Sequence, residues 1–367
     1  IARYLERMGD SLLIIGEASI SAFLGECIKV GQLDVLEKSL IEADLNPNLS
    51  DLSLQAMGET KSGCRIDLVS GRSGNKAETL IIFKEGQSEK LELEKAGVDY
   101  WKALMPGIAP IIYAHRQQGD SAALLFEYLD GDTFEKILIT GTDAEFAAAQ
   151  AALKTTLSSV WLKTRQEEPK KTNFIEQIHH RLDKVTALHD HFSSNDVTFG
   201  DIIIPTFSSL LDQVSVIEKN LTCPFTNLIH GDFNIDNIIH DGQSDKIRFI
   251  DLHRSSLGDY VQDISVFMIS NFRLQIFDAP IRRRIKDVIN GFHIFSLEMA
   301  KEAGDKTFEL RLALGLVRSL ITSTRFVLDQ AFAHDMLLRA RYLMEAIVRV
   351  KPGHYSRFKL PEDAING

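Results

Sequence analysis

Cysteine is scarce in this chain. Cys27, Cys64 and Cys223 lie far apart, and no CxxC pair occurs. That excludes a disulfide framework, argues against a zinc site, and points to a reducing compartment, the cytoplasm. Long apolar runs are also missing. None reaches the length of a transmembrane helix, and Ser11-Leu12-Leu13-Ile14-Ile15 soon meets Glu17, too early for a signal-peptide core. No membrane partner is expected. Positive charge is in deficit, with 41 Lys and Arg against 51 Asp and Glu, a net charge of −10. A broad nucleic-acid surface is therefore disfavoured, although a local basic site for a nucleotide is compatible with that balance. The histidines His179, His180, His189 and His191 contain no i, i+4 pair of the kind that binds metal on a helix. The short basic run Arg282-Arg283-Arg284 reads as a solvated helix face. No internal repeat or low-complexity segment is present. What remains, 44% apolar and 25% charged over 367 residues, is an ordinary globular composition with ample core.

Periodicity changes along the chain. Residues 1 to about 48 carry helical spacing, with Leu33, Leu36, Leu40 and Ile41 on one face, and end at Asn46-Pro47-Asn48. This extension reads foremost as a packing helix pair. From Asp51 the pattern is strand-like. Leu52, Leu54 and Ala56 alternate, a polar tip follows at Gly58 to Gly63, and Cys64, Ile66 and Leu68 alternate again. A third strand ends in Lys84, and a helix is expected over Glu89 to Leu104. Two more strands surround Ile112 and Leu125, the second ending in Leu129-Asp130-Gly131. Helices dominate afterwards. Thr142-x-x-Glu145 is a capping box, and breaks are expected near Ala279-Pro280, Gly304-Asp305 and Asp335.

The densest chemical signal is His230-Gly231-Asp232-Phe233-Asn234-Ile235-Asp236-Asn237, followed by Asp251 after an expected strand–turn–strand. An Asp, an Asn five residues on, and a second Asp after a hairpin are what phosphoryl transfer needs. Asp232 can meet a substrate hydroxyl, while Asn237 and Asp251 can hold Mg²⁺ on nucleotide phosphates. The competing account is a hairpin whose Asp and Asn merely cap turns. By average residue usage, a chance H-G-D-x-x-x-x-N in such a chain is on the order of one in a thousand.

With Gly258, Asp259 and Asp263 added, the pattern resembles the signature of the aminoglycoside phosphotransferase/choline kinase superfamily. The resemblance implies an α+β, two-lobed protein-kinase-like fold, with a small antiparallel-sheet lobe over residues 49–130 and a mostly helical lobe over 131–367. The N-terminal extension, residues 1–48, is additional to that pattern. It implies ATP (GTP remaining open) and Mg²⁺ as cofactors, and a small-molecule hydroxyl as acceptor. By the same resemblance Asp232 is catalytic, Asn237 and Asp251 hold the metal, and Lys84 grips the phosphates with Glu94 as its ion-pair partner. Glu92 is the rival of Glu94, and an edge-strand gatekeeper is the rival reading of Lys84. Ser62, in the polar tip, would cover the phosphates. Glu127 and Leu129, at the strand end, would offer backbone groups to the adenine. His230 and Asp263 read as residues that order the loop and the helix start.

A protein kinase is disfavoured. Gly231 replaces the Arg of H-R-D, Leu252-His253 follows Asp251, and no A-P-E follows. A catalytically weak pseudokinase, acting as a nucleotide-binding or scaffolding module, is the alternative. The complete set Lys84, Asp232, Asn237 and Asp251 argues against it. The acceptor and the oligomeric state are not readable from the sequence.

Overall fold

The computed structural model describes residues 1–24, 28–43, 52–59, 64–71, 79–189, 197–199 and 202–364. The chain divides into two compact units. The first comprises residues 1–130 together with 248–254, and the second comprises 131–247 and 255–367.

The first unit is built on five antiparallel strands: β1 (Leu52–Glu59), β2 (Arg65–Gly71), β3 (Thr79–Gln87), β4 (Ile112–Gln118) and β5 (Ser121–Glu127), in the order β1-β2-β3-β5-β4. Two helices precede the sheet, α1 (Ala2–Leu24) and α2 (Val30–Glu42), and α3 (Ser88–Leu104) follows β3. One face of the sheet packs on α2. Ile81 and Phe83 of β3, Ala123 and Leu125 of β5, and Val69 of β2 share a core with Val35, Leu36 and Leu40. Gln32 of α2 also donates to Glu85 at 2.6 Å. The N-terminal extension is thus in part an integral layer of this unit. Only the end of α1 joins the core, through Ile20 and Leu24, while Leu5, Met8, Leu12 and Ile15 are exposed.

The phase of β2 differs from the expected one. Cys64, Ile66 and Leu68 alternate in sequence, yet the positions that pair toward the α2 core are Asp67, opposite Phe83, and Val69, opposite Ile81. Ile66 stands opposite Lys84 instead. Because this sheet carries helices on both faces, apolar residues occupy both phases of a strand, and alternation alone does not identify the inner face.

The second unit is mainly helical: α4 (Phe134–Thr140), α5 (Asp143–Thr164), α6 (Phe174–Thr186), α7 (Phe207–Glu218), α8 (Val261–Phe272), α9 (Ala279–Glu302), α10 (Phe308–Ser323) and α11 (Gln330–Val348). The capping box of α5 is formed, with Thr142 Oγ1 accepting from Glu145 N and Glu145 Oε2 accepting from Thr142 N. Buried residues run the length of α10, from Phe308 to Thr322, as expected of a central helix with no solvent face. The break expected near Asp335 lies earlier. A short 3-10 turn at Thr324–Phe326 ends α10, and Asp329 caps α11 by accepting from Ala331 N at 2.9 Å and Phe332 N at 3.1 Å. Asp335 sits inside α11, where it pairs with Arg339 one turn on. A small antiparallel sheet unit and a larger helical one make the molecule α+β.

Candidate active site

Lys84 belongs to β3, the central strand of the sheet, so it is not an edge-strand gatekeeper. By strand alternation it points away from the α2 core, and it is almost fully buried. On that side α3 supplies Glu94. Lys84 Nζ lies 2.8 Å from Glu94 Oε1 and 2.6 Å from Oε2. Glu92, two residues earlier, accepts from Ser88 Oγ at 3.1 Å. Asp251 is the second partner of Lys84, with Oδ1 2.9 Å from Nζ.

Three contacts fix Asp251 in the first unit. Phe249 N donates to Ile108 O at 2.7 Å. The Phe249 ring meets Trp101 edge-on at 5.4 Å. Leu252, fully buried, packs where α3 has a glycine: a Cβ on Gly97 would lie 2.2 Å from Leu252 O. Asp251 itself adopts φ 59°, the left-handed region that Asp tolerates better than most residues. His253 Nδ1 stands 3.1 Å from Asp251 Oδ1.

The electrostatics follow from these contacts. Burial draws the Lys84 ammonium down, but Glu94 and Asp251 outweigh it and hold the charge above its ordinary range. Burial would raise the Asp251 carboxyl; the His253 hydrogen bond and the Lys84 charge reverse this and hold it well below the usual carboxylate range. Burial pushes Glu94 up against the pull of Lys84. With both its oxygens within 2.8 Å of the ammonium, we take the pair as ionised. The trio then carries one net negative charge, centred on an oxygen donor that stays ionised.

The second unit positions Asp232. The strand Asn227–Ile229 pairs with Ser256–Gly258 and delivers the chain into a tight loop. Gly231 has φ 82°, which favours glycine over the Arg of a protein kinase. Asp263, in the first turn of α8, accepts from His230 N at 2.6 Å and Gly231 N at 2.9 Å. It therefore holds the loop, whereas just before α8 it is Asp259 that accepts from Val261 N, at 3.0 Å. Burial pushes the Asp263 carboxyl up to about 7, with those two N–H donors and Arg318 pulling it back. His230, fully buried, lies with its Nδ1 3.3 Å from Asp232 N.

Asn237 closes the same loop. Its Nδ2 donates to Asp232 O at 2.9 Å, which leaves the amide oxygen as the group it could present to a cation. The hairpin expected after it is present as the strands Ile238–Asp241 and Lys246–Phe249.

Helix α8 grips the loop at three points: Asp263 as above, Ser270 Oγ accepting from Ile235 N at 3.3 Å, and Arg273 donating to Asn234 Oδ1 at 3.2 Å. Behind α8, Arg311 of α10 is completely buried and bridges Asp259 and Asp305. Tyr260 OH also donates to Asp305 at 2.8 Å.

The geometry thus brings Lys84, Glu94 and Asp251 together in one unit, and Asp232 and Asn237 together in one loop of the other. Glu127 ends β5, and its N–H donates to Ile111 O at 2.8 Å, so only its carbonyl remains to consider as an adenine contact. Its side chain pairs with Arg248 at 3.0 Å. Leu129 is buried just beyond β5. Ser62 lies outside the described residues.

Asn234, Arg273, His253 and Arg311 escape the sequence reading. Only Arg311 has a sequence signal: with Arg318 it is one of two cations seven apart in a largely apolar helix, which calls for buried acidic partners. Among the described residues no group of three His, Cys, Asp or Glu forms a metal cluster, and no helix is long and apolar enough to cross a membrane.

Comparison with known proteins extends this picture. No curated protein matches the chain significantly. Among solved structures, an ethanolamine kinase of Plasmodium vivax is similar at 16% identity and a TM-score of 0.49, covering 89% of this chain and 92% of that one. An aminoglycoside-3'-phosphotransferase of type VIII is similar at 14% identity and a TM-score of 0.47, covering 75% and 94%. The model of the phosphotransferase enzyme family (APH) matches residues 91–293, which include the loop around Asp232 as well as Asp251. Spanning more than half of the sequence, that match places this chain in the phosphotransferase enzyme family.

Proposed function

We propose that the protein transfers the γ-phosphoryl group of ATP, with Mg²⁺, to a hydroxyl of a small molecule. The observation that carries this reading is Lys84 held by both Glu94 and Asp251. A cation on the central strand, fixed by a helix glutamate and by the aspartate that follows the hairpin, is the phosphate-gripping device of phosphoryl transfer. Family membership supports the same conclusion.

The donors suit the metal. Mg²⁺ prefers hard oxygen ligands, and Asp251 is kept ionised while Asn237 can offer an amide oxygen. When bound, Mg²⁺ would offset charge on the phosphates. Lys84 orients phosphate oxygens. Asp232, in a loop held by Asp263, orients the acceptor hydroxyl and takes its proton. The Glu127 carbonyl and the Leu129 backbone are assigned to the adenine, with GTP as the alternative donor. No nucleic acid or membrane enters the reaction, and the cytoplasm, with its supply of Mg-ATP, suits it.

The test is ADP release from Mg-ATP against glucosamine, ethanolamine, choline, homoserine and methylthioribose, with Asp232→Ala as the blank. The expected result is acceptor-dependent turnover that Asp232→Ala abolishes while nucleotide binding survives. Near-normal turnover by Asp232→Ala overturns the assignment. Tight nucleotide binding without transfer to any acceptor or to water favours the pseudokinase alternative.

A further inference from the structure

Asn234 stands between a guanidinium and the carboxylate assigned to catalysis. Arg273 Nη2 donates to Asn234 Oδ1 at 3.2 Å, and Asn234 Nδ2 donates to Asp232 Oδ1 at 2.8 Å. A carboxamide can be turned end for end with little change of shape, so its orientation is set by its neighbours. Arg has donors only, and an ionised carboxylate has acceptors only. Both neighbours therefore select the same orientation, oxygen toward Arg273 and NH₂ toward Asp232. Without Arg273 the amide loses one of the two partners that oppose its reversal and the anchor of its oxygen, and a reversed amide would set oxygen against oxygen at Asp232.

Arg273 is itself anchored. Its backbone N donates to Ile269 O at 2.9 Å, at the C-cap of α8. Its placement is costly, because Nε is buried with no partner among the described residues. Asp236, Asp232 and Glu135 are the acidic groups that offset its burial. A half-buried cation with one buried, unsatisfied N–H, donating to the catalytic loop, calls for a functional account.

We propose that Arg273 and Asn234 are positioning residues for phosphoryl transfer, a hydrogen-bonded relay that holds the Asp232 carboxylate in the orientation that meets the acceptor hydroxyl. This rests on the assignment of Asp232 above. Helix α8 then sets both ends of the catalytic loop, the backbone through Asp263 and the reactive carboxylate through Arg273.

The test is steady-state ADP release from Mg-ATP, with the five acceptors named above and with water as the basal acceptor. The variants are Asn234→Ala, Arg273→Ala, their double, Arg273→Lys and Asn234→Asp. Each alanine change should lower kcat by roughly 10- to 100-fold, the scale of a misplaced catalytic group, with KM for ATP and the thermal midpoint little changed. The double should be no worse than the poorer single, because both act through one bond to Asp232. Arg273→Lys, which still donates, should recover much of kcat. Asn234→Asp should be as poor as Asn234→Ala although it keeps a partner for Arg273, since it sets like charge against Asp232. Arg273→Met, which keeps the buried stem, replaces Arg273→Ala if that variant unfolds. Multiplicative losses in the double, or losses confined to KM, overturn the relay. An inactive Asp232→Ala beside fully active Asn234→Ala and Arg273→Ala overturns the relay alone. Normal turnover by Asp232→Ala overturns both.

Discussion

Gly97 of α3 and the carbonyl oxygen of Leu252 approach so closely that any side chain at 97 would meet backbone, with a Cβ only 2.2 Å from that oxygen. Backbone cannot rotate aside as a side-chain tip can. Gly97→Ala should therefore displace the segment that carries Asp251, at a stability cost of about 1–3 kcal/mol. Mg²⁺-dependent nucleotide affinity should fall as well. Urea denaturation and nucleotide titration check the two effects; an unaltered nucleotide affinity would mean that this contact does not set Asp251.

The Lys84–Asp251 pair predicts a pH dependence. The folded-state carboxyl of Asp251 is held below its unfolded value of roughly 3.9. Its contribution to stability is therefore complete above about pH 5 and is lost as pH falls through the folded value. Asp251→Asn should lose about 1.5–3 kcal/mol at pH 7, the scale of a hydrogen bond to a charged group. It should also show a shallower decline below pH 5. Urea midpoints at pH 7, 5, 4 and 3, measured in EDTA, decide the matter; parallel profiles for the two proteins would refute the linkage.

Asp263 has the opposite sign. Its folded value, about 7, lies above the unfolded one, so its contribution is greatest below about pH 4 and is lost as pH rises toward 7. The loss cannot exceed ~1.4 kcal/mol per pH unit. Asp263→Asn should remove that slope. An amide offers one acceptor oxygen to the two N–H groups of His230 and Gly231, so the variant should also lose loop order and kcat. Stability curves from pH 4 to 8 and steady-state kinetics test the two halves separately.

Arg311 is a buried cation between Asp259 and Asp305. Arg311→Met should cost about 3–5 kcal/mol, because two carboxylates are left buried without their partner. The triple change Arg311→Met, Asp259→Asn, Asp305→Asn should recover at least half of that loss. Guanidinium midpoints measure both; a triple variant no more stable than the single would show that packing by Arg311, and not its charge, matters.

The sequence reading succeeds where chemistry and chain order coincide. His230 to Asn237 is one continuous loop, and Lys84 with Glu94 lies on a strand and the helix directly after it, so local spacing carries the information, although the strand runs on to Gln87 instead of ending at Lys84 as expected. The α5 capping box is local in the same way. It falls short where partners are far apart in sequence. Nothing in the spacing of Asn234 and Arg273 shows that a helix C-cap returns to the catalytic loop. The phase of β2 is hidden because both sheet faces are covered. The break assigned near Asp335 misleads because an acid inside an exposed helix face looks like a cap until Arg339 is seen beside it, while Asp329 does the capping.

Lys84 meets Glu94 ten residues along the chain, but Asp251 only 167 residues later. During synthesis at about 5–20 residues per second, the second carboxylate emerges roughly 8–33 s after the lysine. Until then Lys84 has only Glu94 of its two carboxylate partners, a pair with no net charge, and Gly97 lacks the Leu252 carbonyl. The anionic charge that suits a metal ion is absent over that interval, so a ribosome-bound chain stalled before residue 251 should bind nucleotide without responding to Mg²⁺.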